Sequence, residues 1–394
     1  MRARMSSKFD LIIVGAGIIG SAIAETMRDH CLRICLIDAR PSVGLGASAA
    51  AIGGITPQSG EGCLGPLGTV AQHSMDLYPA WLRRISAEVG AEIPVLTTGQ
   101  LQIAFGSAEL ERLHDQVMPG SGANGAPVLV LSRDELLAQE PLVSSTATGA
   151  LLLPAELAIE PSRLMAALRQ IMLRDTRVTL LLSSTAAGIS SDPHGARVTL
   201  TDGRELYSDQ VVVAAGHSSN ALIGFPSAIL FPVKGQALEF TPPPGMAHRL
   251  RRQCYARIEL REGLNNAYAV PRADGRVIAG VTYEVGAADL TPTAAGRESV
   301  LRGITAMLPE VATWPLTRHW AGIRPGSCDG SPVIGYLDAN RRVIAAAGHS
   351  GLGITLAPIT AELVRTLIAG GHSPDLAVSD PARFDRLRLS AVAG

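Results

Sequence analysis

The chain has little of what would tie it to nucleic acid or a bilayer. Its 394 residues include 34 Lys or Arg and 35 Asp or Glu, a net charge of −1, and basic residues gather no further than pairs such as Arg251-Arg252. Phosphate backbones are held by dense cationic surface that releases counterions, so no nucleic-acid partner is expected. There is also no unbroken run of about 18 apolar residues to span a bilayer. After the charged start Met1 to Met5, the apolar stretch Leu11 to Ala24 is broken by Gly15, Gly17 and Gly20 and has no processing site, so neither a membrane nor an export signal is expected.

The five cysteines, Cys31, Cys35, Cys63, Cys254 and Cys328, are odd in number and scattered, with no C-x-x-C pair of the kind that zinc or thiol redox sites use. They read as free or buried thiols in a reducing cytoplasm. What is present suits a globular chain of about two domains. Hydrophobic residues make up 47%, charged ones 18%, and 41 glycines fit a buried parallel sheet crossed by tight turns.

Phe9 to Val14 predicts a short buried strand, Gly15 to Gly20 a turn, Ser21 to Asp29 a helix and Leu32 to Ile37 a second strand, a β-α-β unit. Two further strand-then-glycine units follow, Gln210 to Gly216 and Val343 to Gly348. The second leads into a helix whose apolar positions Ile359, Leu363, Val364, Leu367 and Ile368 share a face, with Gly370-Gly371 as its stop. Between these units Pro94 to Phe105, Leu151 to Leu153, Gly235 to Phe240 and Ala267 to Val281 are alternating or β-rich, which predicts an antiparallel sheet inserted in pieces. The expected nucleotide domain is 8–85, 155–225 and 322–394, and the expected substrate domain 86–154 and 226–321. Ser121 to Ala126 and Thr241 to Gly245 read as surface loops.

In the first unit Gly15 permits the tight turn, Gly17 admits close approach of backbone N–H groups to a pyrophosphate, and Gly20 lets helix and strand pack. The spacing alone is weak, since Gly120-Ser-Gly-Ala-Asn-Gly125 matches it with no strand before or helix after. Asp38, eighteen residues after Gly20 at the end of the second strand, strengthens the first copy because a carboxylate there accepts from ribose hydroxyls. Two observations favour FAD over NAD. No second strand-flanked fingerprint exists for a nicotinamide, and Leu45 to Gly54 is rich in small residues that allow close backbone approach. Ser48 in that stretch is expected to cap a helix aimed at a second phosphate or the flavin edge.

Six segments in order, Gly15 to Ala24, Ser48 to Ala51, Phe231 to Gly235, Tyr268 to Arg272, Trp320 to Gly326 and Gly348 to Gly353, resemble the glycine oxidase branch of the D-amino-acid oxidase family. The resemblance implies a Rossmann-type FAD-binding domain with an interleaved α+β substrate domain built on an antiparallel sheet. It implies non-covalent FAD and oxidation of the C–N bond of glycine, a small N-substituted glycine or a D-amino acid to an imine, with oxygen taking the electrons. Relatives that serve as the flavin subunit of multi-subunit opine, hydroxyproline or glycine dehydrogenases make a partner electron acceptor the alternative, and the assembly is then homo- or hetero-oligomeric.

On that resemblance Arg324 would hold the substrate carboxylate through two parallel guanidinium donors, an interdomain ion pair being the alternative use. Tyr268 would add a phenolic hydrogen bond to the same carboxylate, and Tyr283 would line the site. The expected FAD contacts are Gly15, Ala16, Gly17, Ile18, Ile19, Gly20, Asp38, Ala39, Arg40, Gly46, Ala47, Ser48, Ala51, Ile52, Gly53, Ala186, Ala215, Gly216, Gly348, His349, Ser350, Gly351, Leu352, Gly353, Ile354 and Thr355. At the last of these segments N–H groups and a helix dipole would stabilise negative charge on the reduced ring.

The chain departs from its relatives after His349, where Ser350-Gly351-Leu352 stand in place of a bulky aromatic and an arginine. Cys328 lies at the wrong offset for covalent flavin attachment and reads as a free thiol, and Cys63 is a candidate for a subunit interface. Gly348-His-Ser-Gly-Leu352 also approximates a nucleophile elbow with Ser350 as nucleophile. Its fifth residue is wrong, and His372 precedes Asp375 and Asp380, the reverse of an α/β-hydrolase.

Overall fold

The computed structural model describes residues 8–30, 33–59, 65–115, 127–226, 228–261 and 263–384. The glycine pattern at 120–125, the loop at 121–126, Cys31 and Cys63 lie outside the described residues.

The first unit is β1 (Phe9–Val14), α1 (Ile18–Met27) and β2 (Ile34–Ile37), with Leu11 to Val14 pairing parallel to Ile34 to Ile37. In β1, Leu11 and Ile13 pack on one side of the sheet and Ile12 and Val14 on the other. A strand covered on both faces needs a continuous apolar run, and the sequence supplies one. The parallel sheet runs Val178–Leu181, β2, β1, Glu205–Val213 and Val343–Ala347. Glu205–Val213 is long enough to serve twice: Glu205 to Ser208 pair antiparallel with Ala196 to Thr199, and Val211 to Val213 pair with Val343 to Ala345.

Helices α1, Pro66–Val89, Pro161–Arg174 and Gly353–Ile368 share the core against this sheet. With the turn before it, the last helix is long and apolar enough to cross a membrane, yet 67% of that stretch is buried inside the protein. Its hydropathy is used against α1 and Pro66–Val89. Pro358 inside it has no N–H to give the Ile354 carbonyl. The buried Tyr78 hydroxyl donates to that carbonyl instead, and Ser74 Oγ donates to Thr355 O at 2.6 Å. Both bonds fix the first turn of the helix, the part that faces the cavity described below.

The second sheet has nine strands in the order Glu284–Val285, Leu230–Phe240, Val277–Gly280, Gly263–Pro271, Gln253–Leu260, Gln100–Ala104, Gly149–Leu153 and Leu129–Ser132, with Leu316–Ser327 along the free side of Leu230–Phe240. It departs from the wholly antiparallel sheet expected, because Gln253–Leu260 and Gln100–Ala104 pair parallel. These two strands come from separate excursions of the chain, so no hairpin imposes opposite directions on them. Leu316–Ser327 runs unbroken across the expected domain boundary at 321/322, and the strand that begins in the substrate sheet delivers its far end to the nucleotide side. Helix Ala294–Met307 closes the sheet with Val300, Ile304 and Met307.

Candidate active site

One cavity of about 520 Å³ extends from the tips of β1 and β2 to the second sheet. Its first end is built by the glycine turn. Gly15 has φ +110°, and a Cβ there would lie 2.2 Å from Ala214 O, so only glycine fits. A Cβ on Gly20 would lie 1.9 Å from Gly15 O, which is why α1 can start against the strand. Gly17 meets nothing nearer than Ser48 Oγ at 3.4 Å and leaves room on the cavity side.

Asp38 accepts the Ala16 N–H through Oδ2 and the Arg40 N–H through Oδ1, both at 2.8 Å. Its carboxylate thus ties the glycine turn to the end of β2, in a wall shared with Ala39, Arg40 and Ala186. Ser48 corrects the expectation made for it. Its own helix is only Ala47–Ala50, and its hydroxyl instead accepts the Ile18 N–H at 2.8 Å. It therefore serves the N-terminus of α1, where unpaired N–H groups favour an anion.

The middle of the cavity is narrow backbone. Ala51, Ile52, Gly53 and Gly54 form one side, Gly322 and Ile323 another, and His349 to Thr355 a third. A Cβ on Gly322 would meet Ala50 Cβ at 2.2 Å, and Trp320 Nε1 donates to Ala50 O at 3.1 Å, so the strand and the end of the short helix Ala47–Ala50 are locked together. Arg272 Nη2 donates to Ile52 O at 2.6 Å from behind. His349 is buried with its Nε2 3.0 Å from Thr360 Oγ1, and burial pushes its pKa down to about 3, so the ring is neutral. Ser350, at φ +48°, opens the 3₁₀ turn Ser350–Leu352, and among the described residues no histidine forms a hydrogen bond with it. The nucleophile-elbow reading has no base.

At the far end Arg324 stands opposite Val233 on the strand pair and reaches across Gly235, where a Cβ would lie 2.3 Å from Nη1. Its Nη1 donates to Thr282 O at 3.0 Å and its Cζ lies 4.5 Å from the centre of the Tyr283 ring. Among the described residues it forms no salt bridge, so the interdomain ion pair is not its use.

Tyr268 lines the cavity, and in this structure its hydroxyl is turned to a neighbouring side chain. Its hydroxyl donates to Gln253 Oε1 at 2.5 Å, and it abuts Gly54 so closely that a Cβ there would lie 2.1 Å away. Burial pushes its pKa far above the ordinary tyrosine value. Thr56, Ser59, Gln100, Tyr255 and Asn266 also line this end and were not anticipated. For Asn266 a signal existed, because it lies two residues before Tyr268 on one strand and so shares its face.

A fold of this kind, with a glycine-turn cavity running into a substrate sheet, defines a dinucleotide-dependent oxidoreductase. The chain belongs to the DAO family of FAD dependent oxidoreductases, whose model matches residues 10–367. Its similarity to glycine oxidase of Geobacillus kaustophilus is 29% identity over 92% of this chain and 94% of that protein. The crystal structure of glycine oxidase from Geobacillus kaustophilus superposes with TM-score 0.85 at 28% identity, covering 94% of this chain and 97% of that one. L-proline dehydrogenase from P. horikoshii shares the fold at TM-score 0.82 and 23% identity. FAD is the cofactor, and the structure fits it: the cavity is continuous, side-chain-free glycine lies where a pyrophosphate must approach, and the N-terminus of α1 opens onto it.

Proposed function

We propose that the chain oxidises the C–N bond of glycine, a small N-substituted glycine or a D-amino acid to an imine, with oxygen as the final acceptor. Water then converts the imine to a 2-oxo acid and an amine. The observation that carries this reading is Arg324, a cavity cation with no carboxylate partner among the described residues, in a chain 29% identical to a glycine oxidase. A guanidinium aimed at a carboxylate fixes orientation as well as position.

In this reading Gly15, Gly17, Ile18, Ser48, Asp38 and Arg40 hold the adenosine and pyrophosphate, and Ala51 to Gly53 with His349 to Thr355 hold the ring. Bound FAD supplies the acceptor of the substrate's hydride. Arg324 binds the carboxylate and Tyr283 covers the guanidinium with its ring, while backbone N–H groups at the start of Gly353–Ile368 favour negative charge beside it. We place the enzyme in the cytoplasm, which suits the free thiols of Cys35, Cys254 and Cys328.

Oxygen uptake by the purified holoenzyme over a panel of small amino acids tests the reading. Fast uptake with peroxide formation is expected, and slow uptake rescued by an artificial dye identifies a dehydrogenase that passes electrons to a partner. Because Tyr268 gives its proton to Gln253, Tyr268→Phe is expected to raise KM only about threefold while costing ~1–3 kcal/mol of stability, as Gln253 Oε1 loses its buried donor. Steady-state kinetics and denaturant unfolding check the pair of effects. A KM rise of 100-fold would place the hydroxyl on the substrate carboxylate after all.

A further inference from the structure

Behind Tyr268 lies a wall of polar side chains that the roles above leave unused. Glu156 is completely buried between strands Gly149–Leu153 and Leu157–Ile159. Its Oε1 accepts the Gln58 N–H at 2.8 Å, its carboxyl also faces the N–H and hydroxyl of Ser59, and its Oε2 has no hydrogen-bond partner. Ser59 lines the cavity and donates its hydroxyl to Gln100 Oε1 at 2.5 Å. Gln100 stands in register with Gln253, which takes the Tyr268 hydroxyl and whose Nε2 is buried without a partner. A buried polar atom without a partner is costly, so two in one wall of a reaction cavity ask for an explanation.

The chemistry at this cavity supplies one. Amino acids arrive with an ammonium group, and nitrogen without a lone pair cannot form C=N, so a proton must leave before the C–H bond is broken. On the reading that the chain oxidises a small amino acid, we propose that Ser59 receives the ammonium proton of the bound substrate and that Glu156, acting through Ser59, is its final acceptor. The N–H bond breaks with its electron pair left on nitrogen. The proton joins Ser59 Oγ as the proton already on Ser59 passes to the Glu156 carboxylate, so no electrons change hands and no co-reactant is needed.

Ser59 has a single proton to give. With Glu156 protonated that proton goes to Gln100, as in this structure, and with Glu156 ionised it turns to the carboxylate and leaves a lone pair toward the cavity. Burial pushes the Glu156 carboxyl up to about 8, the range in which a group accepts a proton from an amine near neutral pH. The ionisable groups acting on this wall among the described residues are Tyr268 and Cys254, both held neutral by burial, and Arg272, whose guanidinium is turned to the carbonyls of Ile52 and Ile159. Among the described residues no cation pairs with Glu156 to hold it ionised.

The test mixes anaerobic holoenzyme with saturating glycine, or whichever amino acid bleaches it fastest, across the pH range of the titration, for wild type, Glu156→Gln and Ser59→Ala. The wild-type bleaching rate is expected to rise with a midpoint near 8. In both variants it falls about 10²-fold near that pH, and the rise moves up to the pKa of the free amine, where neutral amine arrives unaided. Infrared difference spectra give a readout free of turnover. Wild type loses a carboxylic-acid band with the same midpoint, and Glu156→Gln has no such band. Glu140, another buried carboxyl, pushed up to about 7, is common to both and cancels.

Variant profiles that overlay the wild type overturn the proposal. If Glu156→Gln fails to retain FAD, Ser59→Ala decides alone. A wild type that no amino acid bleaches removes the functional reading and this proposal with it, whereas bleaching with unshifted profiles removes the proposal only.

Discussion

Gly15→Ala yields a colourless protein that cannot be reconstituted with FAD. The backbone at Gly15 has φ +110°, which L side chains rarely adopt, at a cost of ~1–3 kcal/mol before any contact is counted. The added methyl would also lie 2.2 Å from Ala214 O and 2.6 Å from Ala214 C, backbone atoms just beyond the central strand Glu205–Val213. Relief requires that strand or the turn to move, and either movement withdraws the Ala16 N–H from Asp38 and the N-terminus of α1 from the pyrophosphate. Gly17→Ala is the control. Its methyl meets only Ser48 Oγ, at 3.4 Å, so the chain folds and FAD binds more weakly. Flavin absorbance and thermal unfolding of the two variants separate these outcomes, and a yellow Gly15→Ala protein with normal stability would contradict the assignment of the turn.

Arg324→Ala keeps FAD and loses substrate. Hydrogen bonds to charged groups contribute ~1.5–3 kcal/mol each, so removing a two-pronged carboxylate anchor is expected to raise KM by about 10²-fold or more. The side chain holds no acidic partner among the described residues and donates to the Thr282 carbonyl, so its removal leaves no buried carboxylate exposed. Arg324→Lys is expected to recover part of the loss, because an ammonium keeps the charge but not the fork. Steady-state kinetics with flavin content measured in parallel provide the check. An unchanged KM for every active amino acid would leave the guanidinium without the role given to it.

What could be read from the sequence follows the range of the physical signal. The turn Gly15 to Gly20 and the carboxylate of Asp38 act within one β-α-β unit, so spacing along the chain is spacing in space, and the structure brings Asp38 onto the Ala16 N–H. The helix after Gly348 was legible from its apolar face and its glycine stop, and it spans Gly353–Ile368. Arg324 entered through resemblance alone, since nothing local marks an arginine whose neighbours, Gly235 and Tyr283, come from other strands and loops.

What the sequence left hidden shares a cause. Ser48 is bonded to Ile18, thirty residues away in sequence, and the partner of Tyr268 is set by the register of Gln253–Leu260 on Gly263–Pro271. The parallel pairing of Gln100–Ala104 with Gln253–Leu260, which sets Gln100 beside Gln253, joins segments about 150 residues apart. Periodicity reports which face of a strand is buried, not which strand lies beside it.

The central claim, that this FAD enzyme removes a hydride from the carbon next to the nitrogen of a small amino acid, is tested most directly by anaerobic titration of the yellow holoenzyme. Glycine, an N-substituted glycine or a D-amino acid is expected to bleach the flavin completely, with a 2-oxo acid formed in equal amount to the flavin reduced. A flavin that dithionite bleaches but that stays oxidised with every amino acid, at any pH where the protein is folded, would contradict it.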